Sequence, residues 1–255
     1  MEHVVVGTTC DGGVIMFLSQ MPWDFTLIFA FLLIVIPWRG RVRLRRLLSM
    51  DQVGSKEKIT LYATTIAFQW IMAMAVAWRA LARGLTPTEL GLSPEGWTKM
   101  LLPSLVGAIV LGGLHWLNLR RVAKMEGAAA DLMRSLGKRI LPNSSLEMLP
   151  YLALAATAGV CEEFLYRGFG MAALYHVGLP TWLVVLLTSL LFGLAHTYQG
   201  KSGVVGTSLF GMVLGGFRVL LQSIVPLSVW HMTVDLVAGI AGRKYLMSNG
   251  EQKEL

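Results

Sequence analysis

Residues 59–78 read Ile-Thr-Leu-Tyr-Ala-Thr-Thr-Ile-Ala-Phe-Gln-Trp-Ile-Met-Ala-Met-Ala-Val-Ala-Trp. No Asp, Glu, Lys or Arg interrupts this run. As a helix it is about 30 Å long, the thickness of a bilayer's hydrocarbon core. Met100 to Leu119 and Gly168 to Gly200 are equally free of charge. Lipid offers backbone groups no hydrogen-bond partner, so only helices and closed barrels span it. A barrel would alternate apolar and polar positions over segments of about 10 residues. These runs do not alternate. The expected fold is an all-α, polytopic transmembrane helical bundle.

Composition agrees. Of 255 residues, 55% are hydrophobic and 15% charged. A soluble domain carries about 25% charged residues and needs them to cover its surface. Mean hydropathy is +0.60. The net charge of +7 does not point to nucleic acid. The basic residues flank apolar runs, where the lipid bilayer and the positive-inside rule account for them. Cys10 and Cys161 make no disulfide or metal framework. Met1 to Gly13 has no basic region of the kind that opens a cleavable signal, so none is expected. An integral protein of a cell membrane, the bacterial inner membrane, fits this pattern.

The runs predict about seven spans (six to eight), near 16–38, 59–79, 100–119, 147–166, 180–197, 204–222 and 228–246. Arg39, Arg41, Arg43, Arg45 and Arg46 crowd the first connection, and Arg120, Arg121, Lys124, Arg134, Lys138 and Arg139 the third. Arg243 and Lys244 follow the last span. This places the N-terminus outside and the C-terminus inside. Arg120 to Pro142 reads as an amphipathic helix along the membrane. Gly84 to Pro94, with two prolines and repeated glycine, reads as an ordered turn. Asp24 is expected at an outer edge, solvated. We divide the chain into N-terminal spans (1–145), a core bearing the chemistry (146–246) and a polar tail (247–255).

Ionisable residues within spans are expensive and mark function. Here they gather in the second half. The fourth span holds Glu162-Glu163-Phe164-Leu165-Tyr166-Arg167, the fifth ends Phe192-Gly193-Leu194-Ala195-His196, and the seventh begins His231-Met232-Thr233-Val234-Asp235. Glu163 and Arg167, four apart, share a helix face and predict a charge-assisted pair. Glu162 lies about 100° round the helix and points elsewhere. His231 and Asp235 share a face, and Phe192 lies one turn before His196. Two mechanisms suit such a set. A carboxylate can act as general base on water while imidazoles stabilise an oxyanion. Alternatively His196, His231 and Glu162 ligate a metal, zinc being the usual choice for these donors. Spacing does not separate the two.

Glu162-Glu163-x-x-x-Arg167, Phe192-x-x-x-His196 and His231-x-x-x-Asp235 resemble, in order and spacing, the three motifs of the CPBP family of CAAX prenyl endopeptidases and bacteriocin-processing (Abi) proteins. The resemblance covers about 146–246. Leu90-Gly91-Leu92 followed by Trp97 is similar to a weaker feature of the family. It implies an intramembrane endopeptidase acting on a membrane-associated protein or peptide. It implies Glu162, assisted by Glu163, as activator of water, Arg167 as the residue orienting the glutamates, and His196 and His231 as ligands of water, metal or oxyanion. Asp235 stands where the family often has Asn. A prenylated substrate does not follow from these residues, and we expect a polar cavity between the fourth, fifth and seventh spans.

Three rival readings remain at this point. A non-catalytic immunity or scaffold protein would keep the fold without the reaction. Gly200-Lys201-Ser202-Gly203 resembles the nucleophile motif of rhomboid serine proteases, with His231 as base, but leaves Glu162, Glu163, Arg167 and His196 unused. A proton-coupled transporter would need repeats or broken helices in both halves, whereas the early spans carry almost no charge. Counting depth gives one conflict. Glu162 falls about 21 Å from one face and His196 about 24 Å from the other, so counting alone sets them at different heights.

Overall fold

The computed structural model describes residues 20–92 and 97–246. Cys10, Ser93, Pro94, Glu95, the side chain of Trp97 and the tail 247–255 lie outside what is described. The described residues form eight helices and no strand. They are α1 (Trp23–Leu48), α2 (Ser55–Ala82), α3 (Trp97–Lys124), α4 (Ala128–Ile140), α5 (Ser145–His176), α6 (Thr181–Ala195), α7 (Gly200–Leu221) and α8 (Val225–Leu246). Six of them are long and apolar enough to cross a membrane. This is an integral membrane protein, an all-helical bundle as its charge-free runs require.

The fifth expected span differs. α6 has only 15 residues, about 22 Å, and does not match a hydrocarbon core of about 30 Å. Pro180 caps its start, and the chain leaves the helix at His196 before turning through Gly200 at φ +78°. The amphipathic helix expected over 120–142 is shorter: α4 runs Ala128–Ile140 and buries Ala130, Leu136 and Gly137, while residues 120–124 continue α3.

Charge separates the bundle's two ends. At the basic end, Lys58 is fully buried, 3.4 Å from Glu147, and donates to Leu141 O at 2.6 Å. Arg139 donates to Leu47 O and Met50 O. At the opposite end Asp24 is buried, not solvated as expected. Its carboxylate accepts from Arg79 at 2.5 and 2.9 Å and from Arg83 at 3.1 Å. The ring of contacts neutralises the two arginines on the face that the positive-inside rule keeps poor in cations.

The segment 84–92 is ordered, as its prolines and glycines suggest. Thr86 N–H and hydroxyl each donate to Glu89 Oε2 at 2.7 Å, and Glu89 N–H returns to Thr86 Oγ1 at 3.3 Å. The Thr86 N–H, then its hydroxyl, hold the Glu89 carboxyl below the usual carboxylate range. Gly91 sits at φ +71°, and a Cβ there would lie 2.8 Å from Arg218 Nε. Arg218 donates to Glu89 O at 2.8 Å, and Ile224 N–H to Gly91 O at 3.1 Å. Leu90 O lies 3.0 Å from where a Gly168 Cβ would stand. The segment therefore reaches down to the level of Gly168 and sets the start of α8 there.

This resolves the depth conflict. The expected fourth span ended at 166, but α5 continues to His176. Glu162 is about 21 Å below that end, and His196 is about 22 Å below the start of α6 beside it. α8 starts deeper, at the level of Gly168, so about 9 Å of descent brings His231 to the same height. All three functional segments converge.

α5 and α8 touch backbone to backbone. A Cβ at Gly159 would lie 2.6 Å from Ser228 O and 3.0 Å from Met232 N. At Gly216 it would meet nothing within 4 Å. We predict that Gly159→Val costs about 1–3 kcal/mol through overpacking. Gly216→Ala should be neutral. Thermal unfolding in detergent checks both; equal midpoints would mean that α5 and α8 do not need this contact.

Candidate active site

The site is built on the middle of α5. Beyond Glu163 the helix widens into a π-helical stretch, Phe164–Gly170, before resuming at Met171. Such stretches recur at functional sites because they re-aim side chains without ending the helix. Every residue from Glu163 to Leu174 is buried.

Glu163 and Arg167 are both fully buried, and they pair as their spacing predicts. Arg167 Nη1 donates to Glu163 Oε1 at 2.9 Å. Its Nη2 donates to Gly211 O on α7 at 3.2 Å, and its guanidinium lies 4.4 Å from the centroid of the Phe192 ring. The same Glu163 Oε1 is 2.9 Å from His231 Nδ1 on α8. One carboxylate oxygen thus ties α5 to α8, while Arg167 ties both to α7. His231 Nε2 is turned from this pair, 3.8 Å from Asp235 Oδ2. Tyr151 donates to Asp235 O at 2.7 Å, locking the α5–α8 contact a turn further down.

Glu162 faces a different direction, as a 100° rotation requires. Its Oε1 accepts from Gln69 Nε2 on α2 at 2.6 Å. Its Oε2 is buried with no hydrogen-bond partner and lies 3.9 Å from His196 Nε2. His196 Nδ1 is 2.8 Å from Phe192 O. With Nδ1–H donating to that carbonyl, the lone pair is on Nε2 and points towards Glu162. Phe192 sits between these rings, tilted against His196 and edge-to-face with His231 and Tyr166. Its ring centroid is 4.7 Å from that of His196, 5.6 Å from that of His231 and 5.3 Å from that of Tyr166.

A cavity of about 230 Å³ opens on Glu162 and His196. Its position corrects the expectation. It lies between α1, α2, α5 and the segment after α6, lined by Leu32, Ile36, Leu61, Phe68, Gln69 and Leu165 among others. No residue of α8 lines it, and its wall is mostly apolar. The seventh span is excluded because His231 faces Glu163, on the other side of the Glu162 carboxylate.

The structure thus brings Glu162, Glu163, Arg167, His196, His231 and Asp235 together. Sequence reasoning missed Gln69. The signal was present: it is an uncharged amide within the run 59–78, and such a group in a span needs a partner. The rhomboid reading has no geometry behind it, because Ser202 is exposed in the first turn of α7 and His231 is turned to Glu163. The metal reading fits poorly. Among the described residues no three His, Cys, Asp or Glu side chains stand as a ligand group. Glu163 and a backbone carbonyl hold His231 Nδ1 and His196 Nδ1, which leaves each Nε2 to face the site. Glu162, His196 and His231 do not stand together as a three-residue ligand group, and no step is derived through a metal.

Residues 144–237 match a protein-family model described as Rce1-like, type II CAAX prenyl endopeptidase. The match covers all three motifs. No curated protein and no solved structure matches the chain.

Arg167→Met would leave Glu163 charged and buried with only His231 beside it. Breaking a buried pair in this way costs about 3–5 kcal/mol. We expect the single variant to express poorly and melt early in detergent, and Glu163→Gln with Arg167→Met to recover much of the loss. A single variant as stable as the parent would show that the pair does not hold the bundle together.

Proposed function

We propose that this chain, whose residues 144–237 match the model of the Rce1-like type II CAAX prenyl endopeptidases, is a CPBP-family intramembrane endopeptidase working by a glutamate-activated water. The carrying observation is Glu162: Gln69 holds one carboxylate oxygen, while the other is buried, unpartnered and 3.9 Å from His196 Nε2.

Two acceptors at that separation suit one water. It donates one hydrogen to Glu162 Oε2 and the other to His196 Nε2, which leaves an oxygen lone pair for the substrate carbonyl carbon. As the C–O bond forms, Glu162 takes the proton. The carbonyl oxygen gains charge, and we assign its stabilisation to His231: Nδ1–H already donates to Glu163, so Nε2–H is a donor with the ring as imidazolium, and the substrate carbonyl must reach past the cavity wall to α8 to meet it. Glu163 orients that imidazole from behind, and Arg167 fixes Glu163. Asp235 stands beside Nε2 and limits where the ring can swing. When the tetrahedral species collapses, the C–N bond breaks and Glu162 delivers its proton to the leaving amine. Phe192 and Tyr166 keep bulk water from the far side.

The substrate is a membrane-associated protein or peptide, and a prenylated CAAX peptide is the first to test, given the family. We place the protein in a cell membrane, in bacteria the inner one. Holding Glu162 by one oxygen matters for rate, because misplacing a catalytic group costs heavily.

Glu162→Gln should cut cleavage of a farnesylated CAAX peptide about a thousand-fold with normal expression, since it removes the base. Gln69→Leu should lower kcat by about ten- to hundred-fold through lost positioning and leave KM nearly unchanged. Activity should survive chelators, as the donor set lacks a metal geometry. Full activity in Glu162→Gln sinks the glutamate mechanism, and loss of activity with a chelator, restored by zinc, replaces it with a metal one.

A further inference from the structure

Five arginines follow one another on α1 between Arg39 and Arg46, yet they divide into two groups. Arg41, Arg45 and Arg46 are exposed. Arg39 and Arg43, four apart on one face, line the cavity that also reaches Glu162 and His196. Each is held in place. The Arg39 guanidinium lies over the Phe68 ring, 3.8 Å from its centroid. Arg43 Nη1 donates to Thr65 Oγ1 at 2.7 Å and Nη2 to Thr64 Oγ1 at 3.3 Å. Among the described residues neither forms an ion pair with Asp or Glu. Two oriented cations without an anion therefore share a cavity with the scissile-bond position.

Their distance from that position follows from α2. Thr65, which holds Arg43, precedes Gln69, which holds Glu162, by one turn. The two sites are therefore about 6 Å apart along the helix. α1 is close enough for this: a Cβ at Gly40 would lie 3.4 Å from Tyr198 Cδ1 and 3.7 Å from Ala195 O, beside His196. An extended peptide advances about 3.3–3.6 Å per residue. A chain whose carbonyl sits at Glu162 brings an atom two or three residues further on to the arginines.

We propose that Arg39 and Arg43 form a carboxylate-binding pair that reads the free C-terminus of a peptide lying in the cavity. The proposal rests on the proteolytic reading of the site. Two guanidiniums match a carboxylate's two oxygens. The apolar wall of Leu32, Ile36, Leu61 and Met72 lowers the local dielectric and strengthens the contact. A lipid phosphate is the other anion that such cations attract. The three outward arginines already face the headgroups, whereas the inward pair faces the site.

The test uses the whole chain in nanodiscs with two probes, a farnesylated CAAX peptide with a free C-terminal carboxylate and the same peptide as its C-terminal amide. Wild type should favour the acid by about ten- to hundred-fold in kcat/KM, chiefly through KM. Arg39→Gln with Arg43→Gln should erase that preference while the amide is still cleaved, which also shows that the variant is folded. Arg41→Gln should keep the preference. Equal cleavage of acid and amide by wild type overturns the proposal. So does a double variant that slows both peptides alike, with rates that follow anionic lipid content, which would assign the pair to phospholipid. Binding of both peptides to Glu162→Gln separates this idea from the protease reading. If wild type cleaves neither peptide but Glu162→Gln binds the acid preferentially, and only with both arginines present, the carboxylate site stands and the enzyme reading falls. Binding without preference removes the carboxylate site.

Discussion

Everything at the centre of this bundle depends on one carboxylate oxygen, Glu163 Oε1, which meets both Arg167 Nη1 and His231 Nδ1 at 2.9 Å. None of these groups can be left alone there, because an unpaired charge in an apolar interior is costly. The cost makes the arrangement selective. Sliding α8 past α5 by one turn would strand the His231 ring and leave Glu163 half satisfied. Gly159 allows the two helices to approach closely enough, and Tyr151 adds a second tie through Asp235 O. The pairing also has a consequence for its neighbour. With Glu163 engaged on the α7–α8 side, Glu162 must face α2, where a neutral amide and not a cation receives it. An arginine there would bind both oxygens and quench the base. Gln69 satisfies one and leaves the other.

The helical architecture was legible because the solvent wrote it. Lipid forbids charge over about 20 residues, and the charge-free runs mark most of α2 and α3, the end of α5 and all of α6. The gathering of the ionisable residues was legible because charge inside such runs is too costly to keep without a partner or a use. Spacing also supplied faces, which is why Glu163 with Arg167 and Phe192 under His196 follow directly from the numbering. Height was not legible. Periodicity says which residues share a face but not where one helix stands against another. The depth of α8 is set by Gly91 and Leu90, from a loop more than a hundred residues earlier. The inward turn of Arg39 and Arg43 was hidden too, because composition treats five neighbouring arginines alike. Asp24 was misread for a related reason. Its partners are Arg79 in the last turn of α2 and Arg83 just after it, and nothing local announces them.

The segment that matches the family model contains every motif residue, yet it does not enclose the site. Residues 1–145 contribute Gln69 to the base and most of the cavity wall, through α1 and α2. A hydrogen bond from Trp70 to Thr157 at 3.2 Å and the contact of Gly40 with Tyr198 close the same seam. The expected boundary near 145 therefore divides labour and not folding. In the proposed reading the second half carries the reacting groups, on helices fixed by buried charge. The first half carries most of the wall of the cavity onto which they open.

That division explains why the cavity is apolar while the reaction is polar. A peptide entering from lipid brings side chains that favour an apolar wall, and a backbone that does not. Along the cavity the polar atoms lie on a narrow track: Arg39, Arg43, Thr65, Gln69, Glu162, His196 and Tyr198, with Leu, Ile, Phe and Met between and around them. Such a track can hydrate one water and bind one strand of backbone without opening the core to bulk solvent. Water that enters finds its strongest unmet acceptors at Glu162 Oε2 and His196 Nε2. A second buried acceptor, Gln69 Oε1, is also unpartnered beside them. In a low-dielectric cavity, unmet acceptors of this kind are costly until something donates to them. A water and a peptide N–H are the two donors that the proposed hydrolysis brings, and in that reading these unsatisfied groups are the places that the reactants fill.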